Sequence, residues 1–220
     1  MLDVFWSDPV QMAIILLLFS SVGIYGIRYI HAKISVPRSF FKTLPVTLMA
    51  GLSYWMGGPV LLTGALIFCA VGDYFLSLDD DQYLGAGLSA FMVGHLTYTA
   101  QFFVLRSHEP SFITLWYIAA VLVYAALVSR YLWEKIGQFR TPVLLYIAVI
   151  TVMALLSLSL YSYWLITVAA FMFVISNTVL ALRMFVFGGV HPNARMLSSI
   201  VWWSYILAQG LIFIGIMGAV

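Results

Sequence analysis

Apolar residues form long runs along the chain, and charged residues, prolines and glycine-rich breaks separate these runs. A membrane-spanning helix needs about 20 mostly apolar residues, with its backbone groups hydrogen-bonded inside the segment. The pattern predicts eight such helices, with a tight hairpin at Gly57-Gly58-Pro59. The junction at Leu160 and Tyr161 carries no charge, and the alternative is seven helices if it is not a turn. The predicted spans are 10–30, 42–57, 59–78, 83–105, 111–132, 142–159, 162–183 and 196–219.

Composition places this chain in a lipid bilayer. Hydrophobic residues make up 64% of the 220 residues and charged residues only 8%, whereas soluble domains have about half and about a quarter. So few charges cannot cover a surface that faces water. The first apolar run follows Asp3 and Asp8 rather than Lys or Arg, which argues against a cleaved signal peptide. We therefore predict an all-α, polytopic membrane helix bundle that forms a single integral membrane domain over residues 1–220.

Charge and cysteine content narrow the possible partners. The net charge of +2 is small and the basic residues lie in separate loops, so nucleic acid is not expected to bind. A single cysteine, Cys69, excludes an intrachain disulfide and a cysteine-based metal cluster. The acidic run Asp79–Asp81 is interpreted as a solvated turn rather than a cation site. We expect no metal and no other cofactor, and the oligomeric state stays open.

Basic residues are concentrated in the loops that follow predicted helices 1, 5 and 7. Nine of the ten lysines and arginines lie there, and only Arg106 lies on the opposite side. Because cytoplasmic loops carry an excess of these residues, we predict a multi-pass protein of a bacterial inner membrane with both termini outside the cytoplasm. The nine residues are Arg28, Lys33, Arg38, Lys42, Arg130, Lys135, Arg140, Arg183 and Arg195.

Three polar side chains lie at depths from which lipid would exclude them. An ionisable group in a span costs at least about 2.5–3.5 kcal/mol at the bilayer centre, so it indicates function by default. Asp73 is the only acid deep in an apolar run, roughly 8 Å inside the end of helix 3, and we interpret it as catalytic or ligand-binding. Asn177 lies at a similar depth in helix 7. His95, in the middle of helix 4, is either catalytic or a hydrogen-bonded structural residue.

Small residues on helix 4 predict a close approach to helix 3. Gly87 and Gly94 share a face with His95 at helical spacing, and glycines at such positions let helices pack tightly. The approach predicts that His95 lies within reach of Asp73, which would suit proton transfer. Lys42 opens predicted helix 2 on the same side of the membrane.

Helices 3 and 7 contain similar short segments, which suggests an internal duplication. Helix 3 contains GDYFLSL and helix 7 contains SNTVLAL, each with leucines three and five residues after the polar position. The two helices are four apart and would point the same way across the membrane, as in a parallel four-plus-four repeat. This arrangement predicts that Asp73 and Asn177 face one cavity that opens toward the cytoplasm.

Several segments together resemble one known family of membrane proteins. VGDYFLSL and GAGLSAFMVGHLTYTAQF, from helices 3 and 4, resemble the YhhN family of lysoplasmalogenase-like membrane proteins. FMFVISNTVLALRMF, WSYILAQGLIFIG and FKTLPVTL are similar to the same family's last two helices and its Lys–Pro segment on helix 2. The Gly-Asp pair followed about 22 residues later by His-x-x-Tyr is the most specific of these features.

The resemblance implies an eight-helix fold and a reaction. That reaction is hydrolysis of the vinyl-ether bond of lysoplasmalogens, which gives a fatty aldehyde and a glycerophospho-ethanolamine or -choline. Active members carry an acid on each of the two motif helices. Asp73 matches the first position, whereas Asn177, after Ser176, replaces the second acid. This departure puts the activity in question but not the fold.

Vinyl-ether hydrolysis needs a proton delivered to carbon, and Asp73 is the candidate acid. His95 would orient or recharge Asp73, and Asn177 would hold the attacking water. Two alternatives stay open: a family member that binds a lysolipid without hydrolysing it, and a small-solute transporter with Asp73 as the proton-coupling residue. Gln209 is equally suited to joining two helices through hydrogen bonds. The candidate substrate-binding residues for a lysophospholipid are Lys42, Tyr98, Ser176, Arg183, Tyr205 and Gln209.

Overall fold

The predicted all-α bundle is confirmed. The computed structural model describes residues 8–78, 81–106, 112–187 and 191–219, and within these ranges the chain forms eight long helices and no strand. Asp79, Asp80 and the predicted start of helix 5 at residue 111 lie outside the described residues. The helices are α1 (Pro9–Ile24), α2 (Val36–Trp55), α3 (Val60–Ser77), α4 (Asp81–Leu105), α5 (Phe112–Leu132), α6 (Arg140–Ser157), α7 (Trp164–Leu182) and α8 (Ala194–Met217).

The predicted hairpin and the uncertain junction at Leu160 and Tyr161 are both turns. α2 and α3 form the predicted hairpin, in which Gly57 has a φ of 70°, a left-handed conformation that glycine adopts without steric cost. The amide of Gly58 donates to the carbonyl of Ser53 at 2.7 Å and closes the turn. At the uncharged junction, α6 ends at Ser157 and one short 3₁₀ turn leads into α7, so the eight-helix count holds.

Seven of the eight described helices are long and apolar enough to cross a membrane, and the chain is an integral membrane protein. The exception is α2, which contains Arg38 and Lys42 in its first turns. The predicted start of this helix at residue 42 is wrong, because α2 begins at Val36 and Lys42 lies inside it. The reason is that Arg38 is accommodated within the bundle: its Nη1 donates to the carbonyl of Ser77 at 2.7 Å, at the C-terminal end of α3.

Close helix packing organises two corresponding pairs, α3 with α4 and α7 with α8. A Cβ atom on Gly94 would lie 2.9 Å from the Sγ of Cys69 and 3.2 Å from the carbonyl oxygen of Ala65. The space beside Gly72 is filled by the Phe91 ring. The predicted close approach of helices 3 and 4 is therefore present, and small residues on both helices permit it.

The helices contribute unequally to the core. The main cluster of buried apolar side chains joins α1 to α4 with α6 to α8. α5 is peripheral: it packs mainly against α6, and among its described side chains only Val121 and Leu132 are buried. Most of its other described large apolar residues are exposed, as expected for a helix that faces lipid.

Two helices end in a π-helical turn at the same side of the bundle. α1 continues as Tyr25–Tyr29 and α7 as Arg183–Phe187. We call this side, where α1, α3, α5 and α7 end, the basic face. Single π turns are rare in proteins, and those that occur are often found at functional sites. Both turns contribute side chains to the cavity described next.

Candidate active site

A polar cavity of about 100 Å³ lies near the basic face. It is bounded by α2, α3, α4, α7, α8 and the π turn after α1. A buried water needs about 10–15 Å³ of such space, so the cavity has room for several waters or a small polar group. The polar residues among its lining are Tyr25, Arg38, Lys42, Asp73, His95, Ser176, Asn177, Arg183, Ser198, Trp202 and Tyr205.

The structure brings together seven of the nine site residues proposed from the sequence. Asp73 and Asn177 line one cavity from α3 and α7, as the internal duplication predicts. Two residues, Tyr98 and Gln209, do not line the cavity and lie in the buried layer behind Tyr205. The seven residues at the cavity are Lys42, Asp73, His95, Ser176, Asn177, Arg183 and Tyr205.

Asp73 ends a buried chain of hydrogen bonds that runs from α4 through α8 to α3. The Tyr98 hydroxyl donates to Oε1 of Gln209 at 2.5 Å, and Nε2 of Gln209 donates to the Tyr205 hydroxyl at 3.1 Å. The Tyr205 hydroxyl then donates to Oδ2 of Asp73 at 2.6 Å. Every donor in this chain points toward the carboxyl group. The chain therefore fixes the Asp73 side chain and stabilises its negative charge.

His95, which the sequence predicts to lie within reach of Asp73, lines the same cavity but forms no hydrogen bond with it. His95 is fully buried, its Nδ1 lies 2.6 Å from the carbonyl oxygen of Phe91, and its Nε2 has no hydrogen-bond partner. Phe91 fills the space beside Gly72, one residue before Asp73. Because a carbonyl can only accept, Nδ1 carries a proton, and in the neutral ring Nε2 has a free lone pair. His95 thus presents a base to the cavity.

Nitrogen atoms without hydrogen-bond partners are concentrated at the cavity. Among the described residues, five buried side-chain polar atoms lack a partner, and four of them belong to residues that line it. These four are Nε of Arg38, Nε of Arg183, Nε1 of Trp202 and Nε2 of His95, whereas the fifth belongs to Gln11. A buried polar group left unpaired costs about 1–3 kcal/mol. Such a concentration indicates a site that a polar ligand completes.

The balance of charge at the cavity favours an anion. Arg38, Lys42 and Arg183 are three cations, and Asp73 is the one acidic residue in the lining. The charge of Lys42 acts on the Asp73 carboxyl group. The sequence pattern identifies Arg38 only as a loop residue whose charge helps to set the orientation of the chain in the membrane. Nothing in the pattern predicts that it lies inside a helix.

Asn177 and Ser176 are held by structural hydrogen bonds. Oδ1 of Asn177 accepts from the Tyr146 hydroxyl at 2.6 Å, and its Nδ2 donates to the carbonyl of Phe173 at 2.8 Å. The Ser176 hydroxyl donates to the carbonyl of Val201 at 3.0 Å and joins α7 to α8. The amide of Asn177 is therefore rigid at the cavity wall.

The part of the chain that the structure describes contains no group of three or more acidic, histidine or cysteine side chains able to hold a metal.

The fold and the site define an integral membrane protein with a polar, cationic cavity near one end of its helix bundle. The model of the YhhN family matches residues 37–216, which is most of the chain. The chain therefore belongs to the YhhN family, as its motifs predict. Comparison with curated proteins and with solved structures gives no match.

Proposed function

We propose that this protein is a membrane-embedded lipid hydrolase that cleaves the vinyl-ether bond of lysoplasmalogens. Its products are a fatty aldehyde and a glycerophospho-ethanolamine or -choline. The observation that carries the proposal is the buried Asp73 carboxyl group in a cavity with three cations and four unpartnered nitrogen atoms. Membership of the YhhN family supports the same reaction class.

The cations identify which part of the substrate enters the cavity. A phosphate group accepts charge-assisted hydrogen bonds, and arginine binds it with two donors at once. Arg38 and Arg183 each have an unpartnered Nε, and Lys42 adds a third charge. Because three cations line this cavity, the phosphate and glycerol occupy it while the hydrocarbon chain lies elsewhere.

Asp73 in its protonated form delivers the first proton. The proton goes to the vinyl carbon farther from the ether oxygen, and the other vinyl carbon and the oxygen form an oxocarbenium ion. The Asp73 carboxylate that remains accepts the Tyr205 hydrogen bond and lies near the Lys42 charge. Both interactions strengthen as negative charge develops on the carboxyl group, which is how an acid catalyst is stabilised in the transition state.

Water completes the reaction. It adds to the oxocarbenium carbon and loses a proton to Nε2 of His95, the base that the cavity presents. The resulting hemiacetal then collapses: the glycerol oxygen takes the proton from protonated His95, the hydroxyl group gives its proton to the Asp73 carboxylate, and the aldehyde is released with both residues back in their starting forms. Tyr146 and Phe173 hold the amide of Asn177 at the cavity wall. Asn177 can therefore position the attacking water, but it cannot act as a base.

A second candidate function is binding of a lysolipid without hydrolysis. It is favoured by Asn177, because the resemblance implies an acid at this position in active members. Transport of a small solute has less support, since the described polar cavity is lined from one end of the bundle.

Three lysolipids that differ only at the chain linkage test the proposal. Purified full-length protein in liposomes is given alkenyl, saturated alkyl and acyl lysophosphatidylethanolamine, and released aldehyde and fatty acid are measured. We expect aldehyde from the alkenyl lipid and no product from the other two. Fatty acid released from the acyl lipid would indicate an esterase instead. Binding of all three without any product would favour the second candidate.

A further inference from the structure

We propose that the hydrocarbon chain of the substrate occupies a second, apolar cavity between α5, α6 and α7. We call it the chain slot; its lining includes Val121, Ala125, Val128, Ile150, Val174 and Ala181. The inference rests on the proposed function only in taking the ligand to be a single-chain lipid whose headgroup lies in the polar cavity.

The polar side chains of the chain slot form hydrogen bonds within the protein. The Tyr124 hydroxyl donates to Thr178 at 2.9 Å, and the Tyr146 hydroxyl donates to Asn177 at 2.6 Å. The Thr151 hydroxyl donates to a carbonyl one turn earlier at 2.7 Å. None of the buried unpartnered atoms found among the described residues belongs to this lining. The slot is therefore suited to hydrocarbon, in contrast to the polar cavity.

The two cavities share one wall. Asn177, Leu180 and Met184 of α7 and its π turn line both of them. In a lysoplasmalogen the vinyl ether is the first linkage of the chain, next to the glycerol. A headgroup in the polar cavity and a chain in the slot therefore place this bond at the shared wall. Tyr146 in the slot also has its ring centroid 5.5 Å from that of His95, which faces the polar cavity.

The length and position of the slot fit one leaflet. Its lining on α5 runs from Val121 to Leu132, roughly 16 Å at the helical rise of 1.5 Å per residue. This is about half of the ~30 Å hydrocarbon core. The slot begins at the basic face, and peripheral α5 forms its outer side. A chain can thus enter sideways from the leaflet beside the basic face.

The slot positions the chain more than it contributes affinity. A chain that moves from the bilayer into the slot leaves one apolar environment for another, so the hydrophobic effect contributes little. Affinity comes from the charged headgroup, whereas the slot determines where the first carbons of the chain lie. The direct measurement is therefore the position of the chain.

Photocrosslinking locates the chain without requiring turnover. The probe is a saturated alkyl lysophosphatidylethanolamine with a diazirine in its chain, applied to the full-length protein in liposomes. Mass spectrometry is expected to find the label on slot residues of α5, α6 and α7. Ala125→Phe fills the slot from α5 and should abolish this labelling. The control Ala126→Phe adds the same ring one residue along, at an exposed position outside the slot, and should retain it.

The outcomes separate the slot from the reaction. If Ala125→Phe does not elute as a folded protein, Ala181→Phe narrows the same slot from α7 and is expected to give the same loss. Labelling that both variants leave unchanged, or labelling spread equally over lipid-facing surfaces, overturns the chain slot. Labelling in the slot of a protein that releases no aldehyde contradicts the proposed hydrolysis but leaves the slot standing. Aldehyde release without labelling of the slot contradicts the chain slot but leaves the proposed hydrolysis standing.

Discussion

At the scale of single residues, the site depends on one carboxyl group whose surroundings are set by residues on other helices. Tyr205 donates to Asp73, and Gln209 and Tyr98 orient Tyr205 from behind. Tyr205 and Gln209 lie four residues, about one helical turn, apart on α8, whereas Tyr98 lies on α4. Their hydrogen bonds hold the carboxyl group in one position.

Removal of single hydroxyl groups tests this chain of hydrogen bonds. Tyr205→Phe deletes the donor to Asp73, and a hydrogen bond to a charged group is worth about 1.5–3 kcal/mol. We expect kcat for aldehyde release to fall about 10- to 100-fold. The matched variant Tyr98→Phe removes a hydroxyl two bonds farther away and should change kcat much less. Equal losses in the two variants would contradict a direct role of Tyr205.

Replacement of Asn177 tests the departure from the family pattern. Asn177→Asp provides a second carboxyl group that still accepts the Tyr146 hydrogen bond and lines the same cavity as His95. We expect turnover to increase several-fold, because a carboxylate at the shared wall can also accept a proton from water. A lower turnover in this variant, measured with the same alkenyl lipid, would show that the rigid amide is itself required.

The sequence alone predicts some residues of the site and misses others, and the difference has physical reasons. Asp73 and His95 are conspicuous because ionisable groups inside apolar runs are costly. Trp202 is not, because tryptophan is common in membrane proteins at the lipid interface, and only its three-dimensional position shows an unpartnered Nε1 at the cavity. His95 binds the carbonyl oxygen of Phe91 on its own helix rather than Asp73, and spacing along the sequence does not reveal this.

At the scale of helices, close packing of α3 on α4 holds Asp73 and His95 on two walls of one cavity. Among the described glycines within helices, Gly94 would bring an added Cβ nearest to the backbone of a neighbouring helix, 3.2 Å from the carbonyl oxygen of Ala65. Gly85, on the same helix, has nothing within 4 Å of an added Cβ. These two glycines therefore have different roles despite similar sequence surroundings.

Alanine at the two glycines should shift stability in opposite directions. In a helix interior, alanine is more favourable than glycine by about 0.5–1 kcal/mol, so Gly85→Ala is expected to raise Tm in detergent. Gly94→Ala is expected to lower it, because overpacking costs about 1–3 kcal/mol. Thermal unfolding of both variants checks this. A rise in Tm for Gly94→Ala would mean that the helices are not in contact there.

The helices themselves were largely predictable, because long apolar runs have few alternatives in lipid. The main error concerns α2, which begins at Val36 rather than at residue 42. Arg38 and Lys42 resemble loop residues in a pattern that separates apolar from charged positions. Buried Arg38 binds Ser77 of α3, and half-buried Lys42 acts on Asp73 of the same helix; contacts between distant helices of this kind do not appear in local hydropathy.

At the scale of the whole molecule, the basic face decides which leaflet supplies the substrate. The cavity and the chain slot both lie toward this face. The distribution of lysine and arginine predicts that it is cytoplasmic, so the lipid would come from the cytoplasmic leaflet.

Cysteine labelling of the full-length protein tests the orientation. Cys69 is the single cysteine and is fully buried, so Cys69→Ala gives a background without reactive thiols. In intact cells, a membrane-impermeant maleimide should label Val60→Cys at the start of α3 and should label Lys135→Cys only after lysis. The reverse pattern would place the cavity on the outer side, and labelling of both positions from one side would contradict the bundle topology.

The most direct test of the central claim compares Asp73→Asn with wild-type protein on the alkenyl lysolipid. Asparagine has nearly the same shape and still accepts the Tyr205 hydrogen bond, but it cannot deliver the proton. Asp81→Asn, an exposed acid outside the cavity, is the matched control. We predict that Asp73→Asn loses about 10²–10⁴-fold in kcat while it still binds the saturated alkyl analogue, and that Asp81→Asn keeps wild-type turnover. Wild-type turnover in Asp73→Asn would contradict the account.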